Sequence, residues 1–226
     1  MSTTSIITPA TLKFLKTLKK NNDRDWFAKN KNRFEATKEE MKILQATLKD
    51  ELSHHDEIAQ VKVYRIYRDV RFSKNKAPYK THLSGYVERA TKWKRGGYYF
   101  HIEPGHSFAG GGFWAPEKND LSRIRQDISV NDKPLRKIIT AKGFRDAFGE
   151  LEGDQLKTAP RGFAKDHPAI DLLRYKQFLV TRPFTDKEVL SPDFAKKLSS
   201  VYKKMRPFFD YMSEVLTTDE NGVPIE

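Results

Sequence analysis

Helical spacing, then strand alternation, then helical spacing again: that order along the 226 residues predicts an α+β fold. The expected architecture is an antiparallel central sheet flanked by N-terminal and C-terminal helices. Three observations carry it. Apolar residues recur at helical intervals from 9 to 57. Aromatic and β-branched residues alternate with polar ones from 60 to 115, with connections too short for crossover helices. Helical spacing returns from 117 to 216. No internal repeat or low-complexity linker interrupts the pattern, so the simplest organisation is one α+β domain over 1–226.

Thr8 and Pro9 read as an N-cap and a first helical residue, with Leu12, Leu15 and Leu18 as the apolar stripe. That helix ends near Asn21-Asn22, and Asn22 or Asp23 caps the next. Phe27, Phe34, Met41 and Leu48 recur every seven residues, beside Leu44 and Leu52. They predict an amphipathic helix of up to about 30 residues, with a weak point at 30–32 where propensity is poor. Only one apolar position recurs cleanly, which favours a packed surface helix over a coiled coil.

Strands follow at 61–68, 83–87 and 98–102. Tyr98, Phe100 and Ile102 alternate with Tyr99, His101 and Glu103, predicting one buried and one polar face. Gly96-Gly97 and Pro104-Gly105 mark turns. Phe108 and Phe113-Trp114 suggest a further strand around Gly110-Gly111-Gly112. Leu121, Ile124 and Ile128 begin the C-terminal helices. Pro134 starts another, with Leu135, Ile138 and Ile139 inward and Gly143 as its stop. Residues 144–165 read as loop with short elements. His167-Pro168 opens a helix carrying Leu172 and Leu173, and 177–184 reads as a strand that pairs with the central sheet. Ser191-Pro192 starts the last helix, with Phe194, Leu198, Val201, Met205 and Phe208 inward. Pro207 is expected to kink or split it. The polar tail from Thr217 is expected to fray.

The composition, 38% hydrophobic and 32% charged, suits a soluble globular chain. The absence of cysteine excludes disulfides, thiolate metal sites and a cysteine nucleophile. Residues 1–13 lack the apolar core of a signal peptide, and no run approaches the roughly 18–20 apolar residues of a membrane helix. A cytoplasmic protein without membrane association is expected. The net charge of +12 is unevenly placed. Residues 61–95 hold eleven Lys or Arg against Asp69 and Glu88, so about three-quarters of the excess lies in 35 residues. Such a block concentrates anions near it.

Within that block Arg65, Arg68 and Arg71 fall three apart, followed by Lys74, Lys76 and Lys80. Arg65 and Arg68 would point to opposite faces of a straight strand, so convergence requires the strand to end or bulge near Arg68-Asp69. A returning loop at Asn75 and Pro78 then lets Arg71, Lys74, Lys76 and Lys80 surround an anion, with Tyr79 among them. Arginine suits this because its planar fork donates two parallel hydrogen bonds. Asp69 is expected to orient one of the arginines. The competing reading is an Arg–Asp network that only ties loop to sheet. His101 and Glu103 share a strand face and are candidates for an acid–base pair or for two metal ligands, with His82 or His106 as third partner. No H-x-x-x-H or H-E-x-x-H spacing exists, so no metal site is expected, and no motif implies a cofactor. The glycine run is read as a tight sheet-edge turn rather than an anion cradle, and it does not match a P-loop. Arg125 lies off the apolar stripe of its helix and is a further candidate to face the site.

The motifs Trp26-Phe27, R-I-Y-R-D-V-R-F-S-K-N-K-A-P-Y-K from Arg65, Y-F-H-I-E-P from Tyr99 and G-G-G-F-W from Gly110 together resemble one family. It is the domain of unknown function 2461 family, uncharacterised conserved hypothetical proteins of bacteria and fungi. L-x-x-I-R-x-x-I from Leu121, L-K-T-A-P-R-G-F from Leu156, and D-H-P with L-L-R-Y-K ending at Lys176 extend the likeness over nearly the whole chain. The family pattern usually has aspartate where Asn75 stands and tyrosine where Phe34 stands. The missing acid weakens any role for that position as base or metal ligand. The resemblance implies a single α+β domain and brings no established activity.

Three functional readings follow from the residues. The first is a binding module for a phosphate-bearing ligand, a nucleotide or nucleic acid, held by a basic loop on a sheet with aromatic faces for stacking. The second is an enzyme on a small anionic substrate, with His101 and Glu103 beside the loop. The third is a structural or partner-binding domain with arginines as internal braces.

Overall fold

The computed structural model describes residues 4–219 and 222–225. Among these the helices are α1 (Pro9–Lys20), α2 (Arg24–Lys29), α3 (Lys31–Ser53), α4 (Lys118–Val130), α5 (Lys133–Thr140), α6 (Lys142–Phe148), α7 (Ile170–Leu173), α8 (Asp186–Val189) and α9 (Phe194–Thr217). The strands are β1 (Ile58–Val63), β2 (Leu83–Arg89), β3 (Gly97–Ile102), β4 (Ser107–Phe113) and β5 (Phe178–Phe184). They form one five-stranded antiparallel sheet in the order β1-β2-β3-β4-β5. The fold is therefore α+β, with helices before and after the sheet. No helix among the described residues is long and apolar enough to cross a membrane.

Two compact units are formed. The first takes Met1–Glu88, Tyr99–Ala109 and Pro183–Ser200; the second takes Arg89–Tyr98, Gly110–Arg182 and Val201–Glu226. In the first, α3 packs along β1 and against α1. Thr8 precedes α1 as its N-cap, but its hydroxyl and N–H both donate to the Glu40 carboxylate, tying α1 to α3. Asp23 caps α2 by accepting from the Trp26 N–H at 2.8 Å. The predicted weak point breaks the helix: Asn30 ends α2 and precedes α3. Its amide donates to the Trp26 carbonyl at 2.9 Å and accepts from Arg33 at 3.1 Å, offering the backbone an alternative to a continuous helix. Phe14, Leu44, Leu48 and Leu52 are fully buried. Each contributes about 1.5–3 kcal/mol by leaving water.

In the second unit Tyr98 packs between Tyr202 and Phe209, ring centroids 4.7 and 5.0 Å away. Arg89 is buried there and meets Asp210 at 2.9 Å. The glycine run lies inside β4 rather than in an edge turn. A Cβ on Gly111 would stand 2.6 Å from the Met205 sulfur, and one on Gly112, where φ is +131°, 2.1 Å from the Phe178 carbonyl oxygen. The glycines admit the neighbouring helix and strand, which explains their presence without an anion.

Other expectations change. Gly143 does not stop a helix but lies in the first turn of α6, and Gly149, at φ +72°, ends that helix. The helix expected from His167-Pro168 begins at Ile170. α9 runs through Pro207 without splitting. Proline leaves the Lys203 carbonyl without its helical donor, but both residues are exposed, so that loss falls on the solvent side of the helix. The tail falls partly outside the described residues; within them Thr218 pairs with Pro224.

Candidate functional site

β1 ends at Val63, five residues before the expected end. The Tyr64 N–H still reaches the Ser84 carbonyl, and the chain then pairs with its own return. Lys80 N–H donates to the Ile66 carbonyl at 2.7 Å and Arg68 N–H to the Pro78 carbonyl at 2.8 Å, with Tyr67 and Tyr79 bridged between them. Alternation alone cannot distinguish this from a longer strand, because either pairing keeps the same side-chain period. Residues 69–77 are thereby closed into a loop.

Arg68 clasps the neck of that loop. Its guanidinium donates to the Ala77 carbonyl at 3.0 Å and to the Ser73 hydroxyl at 3.4 Å. Neither acceptor carries charge, and no carboxylate pairs with Arg68 among the described residues. Three of its five N–H donors remain available. Inside the loop Asn75 Oδ1 accepts from the Ala77 N–H at 2.9 Å, an Asx turn. Asp69 orients Arg71, as expected, through bonds of 3.0 and 2.7 Å to the guanidinium. That pairing holds the Asp69 carboxyl below its ordinary range. Lys76 turns inward to the carbonyls of Val70 and Arg71, and Lys74 is exposed. Phe72 stands 97% exposed at the tip.

The convergence is therefore smaller than the expected ring of cations. A cavity of about 240 Å³ is lined by Asn22, Arg68, Asn75, Ala77, Tyr79, Lys80, Thr81 and His82. Arg68, Lys80 and Tyr79 of the expected set meet there. Arg65 is exposed but close enough for its charge to act on Lys80. Burial, then Arg65, lowers the Lys80 ammonium from its ordinary value. Lys80 has no carboxylate partner among the described residues and lies 5.3 Å from the centroid of the Tyr64 ring. Tyr79 is buried and stacks on Phe27 with ring centroids 3.9 Å apart. Asn22, expected only as a possible cap, holds both backbone groups of Tyr79 at 2.9 and 3.1 Å. Its role had no local signal, since 57 residues separate the two. Arg125 belongs to the second unit, where it donates to the carbonyls of Leu173 and Tyr175 at 2.9 and 3.0 Å. It is a brace of α7, and nothing places it at the loop.

The polar face of β3 adjoins the cavity through His82. The His82 ring stacks on His101 at 4.1 Å, and Phe108 covers the opposite face of His101 at 4.9 Å. His101 Nδ1 lies 3.2 Å from the Tyr99 hydroxyl and Nε2 lies 3.2 Å from Glu103 Oε2. The other Glu103 oxygen accepts from Lys19 at 3.1 Å and from the Thr81 hydroxyl at 3.5 Å. Burial, then His101, pushes the His82 imidazole down to about 4, so it is neutral at pH 7. Burial also lowers His101, against the pull of Glu103. Burial alone would raise Glu103, but the bonds from Lys19 and His101 outweigh it and hold the carboxyl below its ordinary value. His106 is exposed in the turn after β3 and stays outside this group. His82, His101 and Glu103 each bring a potential ligand atom within 4.8 Å of the others. Helical spacing motifs could not reveal this, because His101 lies on β3, Glu103 directly after it and His82 directly before β2.

The sequence model of a family described as "Conserved hypothetical protein (DUF2461)" matches residues 10–211, most of the chain. No curated protein matches the chain, and no solved structure does.

Proposed function

The chain belongs to the family of conserved hypothetical proteins DUF2461, and within that frame we propose that it binds a phosphate-bearing ligand in the cavity between Arg68, Lys80 and His82. One observation carries the reading. Arg68 and Lys80 face the same cavity, and neither has a carboxylate partner among the described residues, while Arg71, Arg89, Arg95 and Arg136 all do. Two uncompensated cations in one concave site favour an anion, and the arginine fork suits phosphate. The cavity is smaller than the roughly 300 Å³ lower bound of most small-molecule sites, so it takes the phosphate and leaves the rest of the ligand outside. Tyr64, 38% exposed and 5.3 Å from the Lys80 ammonium, offers an aromatic ring beside the cavity for a nucleobase.

The test is calorimetric titration with inorganic phosphate, mononucleotides, sugar phosphates and short RNA and DNA. Arg68→Ala and Lys80→Met should each weaken binding at least tenfold, whereas Lys74→Ala, outside the cavity, should leave it within twofold. Equal binding by all three variants would refute the site.

A second reading is an enzyme acting on the bound anion, favoured by the contact of His82 with both the cavity and His101. Release of inorganic phosphate from a phosphoester panel, lost in His101→Asn, would support it.

A further inference from the structure

We propose that His82, His101 and Glu103 form a binding site for a divalent transition metal of the zinc class. The inference stands on these three side chains and does not depend on the phosphate reading. Two imidazoles and one carboxylate are a donor set that suits zinc and leaves a fourth position open. Their ligand atoms already lie within 4.8 Å of one another. Tetrahedral bonds of about 2.0–2.1 Å require ligand atoms about 3.4 Å apart. His101 Nε2 and Glu103 Oε2, 3.2 Å apart, already meet that spacing.

The surroundings support the same assignment. A ligating histidine usually donates its other ring N–H to a partner, which fixes its tautomer. His101 has such a partner in the Tyr99 hydroxyl, 3.2 Å from Nδ1, leaving Nε2 for the ion. The second Glu103 oxygen is held by Lys19 and Thr81, so the carboxylate is oriented as well. His82 is the member that must turn, out of its stack on His101. Neither of its ring nitrogens has a hydrogen-bond partner among the described residues, so the rotation breaks no hydrogen bond. Lys19 adds an unfavourable charge, but its side chain is 60% exposed and solvent screens it. His82 also lines the cavity, so the proposed metal site borders it.

The experiment uses the full chain stripped with a chelator and then titrated with Zn²⁺ alone, by equilibrium dialysis and metal analysis. One ion per chain is expected. His82→Ala, His101→Ala and Glu103→Gln should each weaken it at least tenfold, and Lys80→Met should not. Lys80→Met is also expected to lose phosphate, so failure of the metal site and failure of the phosphate reading are separable. To guard against variants that do not fold, ¹⁵N-histidine spectra of the unaltered protein are recorded with and without Zn²⁺. Shifts confined to two of the six histidines, assigned to His82 and His101, support the site. Zinc that leaves those two unshifted, or that binds the three variants within twofold of the parent, overturns it.

Discussion

At the scale of single residues, His82 makes the metal-free protein sensitive to acid. Its folded value of about 4 lies below the 6.5 of the free side chain. The unfolded chain therefore binds more protons between those values, so the contribution to stability is complete above about 6.5 and is lost as pH falls towards 4. Burial is the main cause of the shift; His101 and Lys80 add to it, and Glu103 opposes it. In chelator, Tm should fall over that window, and His82→Asn should flatten the fall; an unchanged slope in the variant would refute the assignment. Gly112 makes a different demand. Its φ of +131°, and the Phe178 oxygen only 2.1 Å from where a Cβ would stand, leave no room for a side chain. Gly112→Ala should cost at least about 3 kcal/mol in urea unfolding, through strain and the forced separation of β4 and β5. Of the residues in the proposed sites, Arg68, Lys80, His101 and Glu103 are all candidates in the sequence. Asn22 is not, because its partner Tyr79 is 57 residues away.

At the scale of elements, α9 shows how packing overrides propensity. Proline in a helix interior costs about 3 kcal/mol, yet the helix continues through Pro207. Met205, Phe208, Phe209 and Met212 on its inner face are fully buried, and their burial outweighs one lost hydrogen bond. Pro207→Ala should therefore raise stability by roughly 1–3 kcal/mol in urea unfolding, since Ala restores the missing bond and fits the exposed face. The strand expected at 61–68 divides for a comparable reason. Its first part pairs with β2, while Ile66 and Arg68 bond the returning chain at Lys80 and Pro78. Periodicity reports which face a residue takes and is silent on which partner its backbone finds. The α2–α3 break was legible because Asn30 carries its own local hydrogen-bonding alternative.

At the scale of the molecule, the net charge of +12 concentrates anions near the protein, but the proposed site uses only a small part of it. Raising ionic strength from about 0.01 to 1 M shortens the screening length from roughly 30 to 3 Å. Calorimetric affinity for inorganic phosphate should weaken several-fold without vanishing, because Lys80 is half-buried and less screened. Affinity for RNA or DNA that fell with a far steeper slope would indicate a surface extending over Arg65, Lys74 and Lys76. The sequence by itself determined the α+β class, the approximate positions of most elements, though not of α6 and α8, and the buried face of β3, since these follow from periodicity and local caps. Tertiary structure alone decided which cations share a cavity, and that Arg125 braces α7. It also brought His82 onto His101, because side chains distant in sequence meet only where strand pairing and loop closure put them.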